Sequence, residues 1–331
     1  MKILAFETSC DETGVAVIED GRRIRSNVLA SQVSTHAKTG GIVPEIAARE
    51  HLRAIDPIVD DALQTAGLSL REIDAVAATV GPGLIGCLLV GANYARALAL
   101  AAGLPFIGAN HLEGHVYANW LITADPLLAE PELPAVVLIV SGAHSDLVVM
   151  EHHRQFRLLG RTIDDAAGEA FDKVARLLGL GFPGGPEIER EAREGDAKAV
   201  PLPRAWLSDS YDFSFSGLKT AVLRYLREHP DSSVPDVAAS FQKAVGEVLA
   251  EKTARATAEF GARSVLLGGG VAANMALREE VARRVGVDRV RVPPVRLCTD
   301  NGAMIGAAAF YSLRYRTTEL PVAVRPNMQL A

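Results

Sequence analysis

Cysteine is scarce in this chain. Its three cysteines, Cys10, Cys87 and Cys298, lie far apart with no CxxC spacing, which excludes a disulfide framework and a zinc knuckle and fits a reducing compartment. Aromatic residues make up 5% of the chain, too few for a sheet of stacking rings of the kind that reads single-stranded RNA. A basic surplus is missing too. With 34 Lys and Arg against 40 Asp and Glu the formal charge is -6, so an RNA substrate would need a local basic patch or a helper protein. The longest apolar stretch, residues 84–104, is broken by Gly86, Gly91, Asn93 and Arg96, and no membrane span is expected. The apolar run at the start ends at Glu7, too early for a signal peptide. The expected location is cytoplasmic.

What is present describes a globular protein. Hydrophobic residues are 49% and charged residues 22% of 331, a length that fits two domains better than one. Residues 2–6 read as a buried strand, 7–13 as a polar turn and 14–18 as a returning strand before Glu19-Asp20-Gly21. The same grammar recurs with a strand at 135–140, the turn Ser141-Gly142-Ala143-His144-Ser145-Asp146 and a return at 147–150. Two related lobes follow, each opened by a hairpin whose tip carries small, hydroxylated and acidic residues, with the tips facing a shared cleft. The first half continues with a helix at 44–66, a strand at 75–79 and a Gly81-Pro82-Gly83 turn into a helix rich in small residues. The second half has a helix at 164–178, a loop through Phe182-Pro183-Gly184-Gly185-Pro186, a strand at 265–267 running into Gly268-Gly269-Gly270, and a helix at 274–285. Strands alternating with helices give the α/β class. Residues 197–217 show no steady period and are expected to form an insertion or mobile loop. The domain division expected is 1–134 for an N-terminal lobe, with a C-terminal helix over 301–325 packing back on it, and 135–300 for a C-terminal lobe.

The motif richest in chemistry is His111-Leu112-Glu113-Gly114-His115. Imidazoles four residues apart project from one helical face and can grip one cation. The metalloprotease pattern needs Glu directly after the first His to activate a metal-bound water, and Leu112 stands there. Two histidines leave a cation short of ligands, and Asp300, in Thr299-Asp300-Asn301-Gly302, is a suitable third donor. The bland alternative is a pair of ordinary helix histidines. Glycine runs at 81–83, 184–185 and 268–270 offer backbone N–H groups to an anion, yet none matches a P-loop or a GxGxxG fingerprint. Taken singly each is an ordinary steep turn. Taken with the hydroxylated hairpin tips they fit a nucleotide held by two lobes.

In order along the chain stand Phe6-Glu7-Thr8-Ser9-Cys10-Asp11-Glu12-Thr13, Gly40-Gly41-Ile42-Val43-Pro44-Glu45, Gly81-Pro82-Gly83-Leu84, the His111 to His115 motif, Val140-Ser141-Gly142-Ala143-His144, Phe171-Asp172-Lys173, Phe182-Pro183-Gly184-Gly185-Pro186, Gly268-Gly269-Gly270-Val271-Ala272-Ala273-Asn274 and Cys298-Thr299-Asp300-Asn301-Gly302-Ala303-Met304. This series resembles the TsaD family, the bacterial tRNA N6-adenosine threonylcarbamoyltransferases, once described as glycoprotein endopeptidases. The likeness runs from residue 3 to about residue 310. One departure is visible. The second hairpin tip reads Ser-Gly-Ala-His where the family usually has Ser-Gly-Gly-His, and Ala143 adds a methyl group that disfavours a positive φ.

The resemblance implies the duplicated two-lobe fold of actin, Hsp70 and the sugar kinases (ASKHA) with a central cleft. It implies that His111, His115 and Asp300 bind one divalent metal, Fe2+ or Zn2+, with coordination sites left open. It places Val140, Ser141, Gly142, Ala143, His144, Asp172, Gly185 and Asn274 on threonylcarbamoyl-AMP, the adenine nucleotide forming part of the substrate. Chemistry agrees: Asp172 can accept from ribose hydroxyls, Gly185 lets backbone approach closely, and Asn274 can bond the ligand. Asp172 pairing with Lys173 or Arg176, and Asn274 capping a helix, are the plainer roles. Among catalytic candidates, His144 can stabilise an oxyanion or relay a proton, and Glu12 and Asp11 at the first tip can position phosphate, metal or water.

The activity implied is transfer of a threonylcarbamoyl group to N6 of adenosine 37 in tRNAs reading ANN codons (t6A synthesis), with AMP released. The partners implied are tRNA, a smaller TsaB-type paralogue and a TsaE-type ATPase, with no membrane. Arg278, Arg283, Arg284, Arg289, Arg291 and Arg296, with Arg22, Arg23 and Arg25 as a second cluster, are the best local basic patches, although such runs are commonly solvated faces. The rival readings are a metalloprotease and an ASKHA-type ATPase without a metal clamp.

Overall fold

Ile3 to Phe6 are apolar at every position and fully buried, the mark of a strand covered on both faces. The computed structural model, which describes residues 1–122, 130–207, 210–315 and 323–330, makes this segment the centre of a sheet. Strand β1 (Lys2–Glu7) pairs antiparallel with β2 (Glu12–Glu19), and β2 pairs antiparallel with β3 (Arg23–Ser31). On its other side β1 pairs parallel with β4 (Ala75–Gly81), which pairs parallel with β5 (Phe106–Asn110). A second sheet is built from β6 (Ala135–Val140), β7 (Ser145–His152), β8 (Gln155–Arg161), β9 (Ser264–Gly268) and β10 (Val290–Arg291). The orders are β3-β2-β1-β4-β5 and β8-β7-β6-β9-β10. Strand for strand, with the same parallel and antiparallel pairings, the second repeats the first. The hairpins expected from the sequence are each two strands of a three-stranded meander.

The chain forms two compact units, Met1–Glu130 with Thr299–Ala331, and Pro131–Cys298. In the first, helix Pro44–Ala66 buries Ile55, Ile58, Val59, Ala62 and Ala66. Helix Ile85–Ala102 is, among the described residues, the one long and apolar enough to cross a membrane. Its Cys87, Leu88, Gly91, Ala92, Ala95 and Ala99 are buried. A methyl group at Gly91 would collide with Thr8, and Thr8 Oγ1 donates to the Cys87 carbonyl at 2.9 Å, so the helix sits tight on the end of β1. Helix Gly302–Arg314 packs on β1 and β2, where Gly302 and Gly306 leave no room for a Cβ. Of the helix expected over 301–325, residues 302–314 are helical and 323–325 are not, while 316–322 lie outside the described residues.

In the second unit, helices Ala167–Leu177, Gly184–Ala192, Ser216–Glu228, Val234–Glu259 and Met275–Val285 surround a core that includes Phe171, Phe241, Val248 and Leu267. Two expectations are corrected here. Within 197–217, the described residues include buried Val200, Leu202, Phe213 and Phe215, and Lys252 Nζ donates to the Asp212 carbonyl; the segment is irregular but packed, anchored by aromatics rather than by periodicity. Gly184, Gly185 and Pro186, expected as loop, form the first turn of helix Gly184–Ala192. Proline is tolerated there because first-turn N–H groups have no intrahelical acceptor to lose.

Candidate active site

The parallel strands β1, β4 and β5 bring their C-terminal ends to one edge of the first sheet, the edge at which α/β sheets commonly place ligands. Asn110 ends β5 and caps the next helix, its Oδ1 accepting from Leu112 N at 2.8 Å. His111 therefore opens helix His111–Tyr117, and His115 follows one turn later, the ring centroids 4.7 Å apart. Asp300 lies just before helix Gly302–Arg314, whose N-cap is Asn301. Its Oδ1 is 3.5 Å from His111 Nε2 and 3.2 Å from His115 Nε2, and the three ligand atoms all lie within 4.8 Å of one another. Two donors each about 2.0–2.1 Å from one ion at a tetrahedral angle would stand about 3.3 Å apart, so this spacing suits a shared cation. Gly114 permits the approach: a Cβ there would sit 2.9 Å from Ile305 Cδ1.

Sequence reasoning missed Glu7. This carboxylate is fully buried; its Oε2 accepts from Thr79 Oγ1 at 2.7 Å and lies 3.0 Å from His111 Nδ1, while Oε1 accepts from Ser9 N. With Glu7 as the acceptor, Nδ1 carries a proton, which leaves Nε2 as the nitrogen that faces Asp300 and can ligate a cation once the ring is neutral. That is the carboxylate–histidine arrangement that orients a metal-ligating ring. The signal available in the sequence was an acid closing a buried strand. His115 differs, being buried with neither ring nitrogen in a hydrogen bond. Each such atom left unsatisfied costs about 1–3 kcal/mol; a cation on Nε2, the nitrogen that faces Asp300, would satisfy one of the two. Burial works against charge on His111, yet the Asp300 and Glu7 carboxylates outweigh it and raise the ring to about 9. This negative field favours a cation.

Asp11 and Glu12 follow β1 at the first hairpin tip. Burial, with the Asp300 charge second, raises the Asp11 carboxyl above its usual range. Burial and then Asp11 raise Glu12 to about 8. Glu12 Oε1 accepts from Ser31 Oγ at 2.9 Å, and Oε2 is shielded from solvent without a hydrogen bond. Burial pushes the Cys10 thiol far up, which leaves it unreactive.

The second unit holds the other candidates. Val140 ends β6, and Ser141 closes the tip: its N donates to the His144 carbonyl at 2.8 Å and its Oγ accepts from His144 N at 3.1 Å. Gly142 and Ala143 are exposed. Ala143 is not among the residues with positive φ, so its methyl group brings no backbone strain. Asp172 Oδ1 accepts from Gly184 N at 2.7 Å and so caps the next helix, whereas Lys173 pairs with Asp165 at 2.6 Å and Glu169 at 2.9 Å. Around a Cβ placed on Gly185 there is open space. Asn274 caps helix Met275–Val285 through Leu277 N at 3.0 Å, and its Nδ2 donates to Gln242 Oε1 at 2.6 Å.

The arginine patch is largely occupied. Arg278 donates to the Ala272 carbonyl at 2.7 Å, the Pro293 carbonyl and Cys298 Sγ; Arg283 and Arg284 pair with Glu280. In the second cluster Arg22 pairs with Glu130, and Arg23 and Arg25 with Glu19.

The family model described as TsaD, tRNA N6-adenosine threonylcarbamoyltransferase, matches residues 23–307. A protein of that name from Moorella thermoacetica is 54% identical to this chain, the match covering 99% of this chain and 97% of its own. A second, from Thermomicrobium roseum, is 54% identical over 94% and 92%. Among solved structures, HypF of T. kodakarensis superposes with a TM-score of 0.63 at 14% identity, covering 95% of this chain and 48% of that one. The (R)-2-hydroxyglutaryl-CoA dehydratase component A of Acidaminococcus fermentans does so at 0.55 and 14%, over 96% and 100%. At such identity the likeness concerns fold, and with the repeated sheets it gives the ASKHA-type α/β architecture.

Proposed function

The chain belongs to the TsaD family, the tRNA N6-adenosine threonylcarbamoyltransferases, and from that premise we propose how its residues share the work. It is an acyltransferase of tRNA modification, acting in t6A synthesis. The donor in this proposal is L-threonylcarbamoyl-AMP and the acceptor is N6 of adenosine 37 in tRNAs reading ANN codons. N6 attacks the carbamoyl carbon, the bond from that carbon to the phosphate oxygen breaks, AMP departs and N6 gives up a proton.

The observation that carries this reading is the meeting of His111, His115 and Asp300, with Glu7 behind His111. Two nitrogens and one oxygen suit Fe2+ or Zn2+. A cation bound there supplies Lewis-acid polarisation and a template for the reacting groups. The chain's own groups do the rest. Glu7 holds the His111 tautomer, and Asp300 brings the negative charge that offsets the cation. Glu12, with its carboxyl raised to about 8 by burial and Asp11, is suited to exchange a proton near neutral pH. In the second unit the Ser141 to His144 tip and Gly185 offer backbone to the adenylate, Asp172 and Asn274 fix its polar groups, and His144 stabilises charge on the carbonyl oxygen or relays the proton. Because N6 is a weak nucleophile, holding the reactants in line is a large part of catalysis.

Leu112, in the place where a protease of the HExxH kind needs its glutamate, disfavours the peptidase reading, and the ligand set disfavours an ATPase without a metal. With so much of its arginine paired to acids, the chain is expected to take its tRNA together with a TsaB-type paralogue and a TsaE-type ATPase, in the cytoplasm. Mass spectrometry of tRNA nucleosides after incubation with threonylcarbamoyl-AMP and these partners tests the proposal. Modified adenosine with the native chain and none with Asp300→Ala is expected; unmodified tRNA with every component present would end it.

A further inference from the structure

Behind the first hairpin tip lies a buried polar chain that the mechanism above does not use. His36, His51 and Thr13 are fully buried and Gln32 nearly so. His51, on helix Pro44–Ala66, has Nε2 at 3.0 Å from the Cys10 carbonyl and Nδ1 at 2.7 Å from Thr13 Oγ1. Gln32 Nε2 lies 3.4 Å from the same Nδ1 and 3.3 Å from the Ala47 carbonyl. Its Oε1 is 3.1 Å from His36 Nε2, and His36 Nδ1 accepts from Val43 N at 3.4 Å.

The proton positions follow from donor and acceptor capacity. A carbonyl cannot donate, so His51 Nε2 carries the hydrogen and Nδ1 accepts from Thr13 and Gln32. His36 has the same tautomer, its Nδ1 taken by a backbone N–H and its Nε2 donating to Gln32 Oε1. Every member is satisfied in one direction only, and such a network rigidifies what it joins. Burial lowers the His51 pKa, which agrees with a neutral ring. What the network joins is the tip: Cys10 by its carbonyl and Thr13 by its hydroxyl, the two residues flanking Asp11 and Glu12. The end of strand β3 and the residue after it add two ties, Ser31 Oγ to Glu12 and Gln32 N to the Asp11 carbonyl at 3.1 Å.

We propose that His51 is a positioning residue for transfer, holding the Cys10–Thr13 turn so that Asp11 and Glu12 keep their orientation. It rests on the reading of those acids as part of the site. His51 touches neither His111, His115 nor Asp300, so its loss acts on rate and not on cation binding.

The test uses the full chain with its partners, tRNA and threonylcarbamoyl-AMP, reading kcat, KM for tRNA and bound cation together. His51→Phe fills the ring's space without nitrogens. Thr13→Val removes one donor isosterically and guards against misfolding of the larger change, while Thr13→Ser restores the hydroxyl. In His51→Phe and Thr13→Val kcat should fall by about 10- to 100-fold, the scale of a small misplacement, with KM and cation content kept; Thr13→Ser should recover most of the rate. Native kcat in both Phe and Val variants beside a slowed Glu12→Gln would overturn the positioning role alone. Native kcat in Glu12→Gln would overturn the reading of the tip on which it rests. Cation loss in step with rate would also overturn the role, because His51 would then be supporting the whole site.

Discussion

Glu7 Oε2 and His111 Nδ1 lie 3.0 Å apart with the carboxylate fully buried. The contact orients the imidazole so that Nε2 is the nitrogen turned to Asp300, and in the proposed site acid and ring would act as one unit. Replacing Glu7 with Gln keeps the shape and removes the charge that favours an N–H at Nδ1. Cation affinity should fall by about 10- to 100-fold, as for other groups that support a ligating histidine. Competition against a chelating dye measures it. An unchanged affinity in Glu7→Gln, beside a weakened one in Asp300→Asn, would remove Glu7 from the site.

The metal-free protein should lose stability as pH rises. His111 is raised from an ordinary value near 6.5 to about 9, against burial, by Asp300 and Glu7, and Glu12 is raised from 4.5 to about 8 by burial and Asp11. Both folded-state values lie above the unfolded ones, so each contribution is fully present below the unfolded value and is lost as pH climbs through the folded one. The window is roughly pH 5 to 9 from these two groups. A cation needs His111 neutral, so its affinity should strengthen across the upper part of that window. Thermal melts of chelated and cation-loaded protein at pH 6 and 9 should show the gap between them widening with pH. A constant gap would mean that His111 is not a ligand.

The helix cap made by Asn274 and its proposed part in adenylate binding can be separated by substitution. Its Oδ1 caps helix Met275–Val285 and its Nδ2 reaches Gln242. Asn274→Ala loses the cap, at a cost of about 1 kcal/mol, whereas Asn274→Asp keeps an acceptor for Leu277 N. The melting temperature should drop further in the Ala variant than in the Asp variant. Binding of a non-hydrolysable adenylate analogue, measured by calorimetry, should weaken in both. Native binding in Asn274→Asp would reduce the residue to a cap.

Local chemistry was legible in the sequence and tertiary chemistry was not. Helix Pro44–Ala66 is bounded by Pro44 in its first turn and by Gly67 at φ 66°, signals that need nothing from elsewhere. The edge strands β3 and β8 were missed because Arg23, Arg25, Gln155 and Arg157 give them the look of polar turns. Helix Val234–Glu259 was missed because burial around much of its circumference leaves no clear apolar stripe. At the site, the HxxxH spacing is a property of one helix. Glu7, Thr79 and His111 meet only because β1, β4 and β5 are neighbours, a fact of strand order that no local window contains. Arg278 looked like part of a basic surface for the same reason: its acceptors, Ala272, Pro293 and Cys298, come from segments apart from its own helix.

Gly269→Ala should separate what the two units contribute. Gly269 has φ 90° and ψ 163°, a region essentially reserved for glycine, where another residue costs about 1–3 kcal/mol. A methyl group there would also collide with the Val140 carbonyl, and forcing it in costs about 1–3 kcal/mol more unless the backbone moves. The relief available is a shift of the end of β6, and Ser141 to His144 would move with it. Adenylate binding should therefore weaken sharply in the folded variant, while bound cation, assigned in the proposal to His111, His115 and Asp300 of the other unit, should stay at the native amount. Calorimetry with the adenylate analogue and metal analysis on one preparation give both readings. If a folded Gly269→Ala variant bound the analogue as tightly as the native chain, the Val140 to His144 tip would not be the adenylate's seat, and the transfer step would need another donor site.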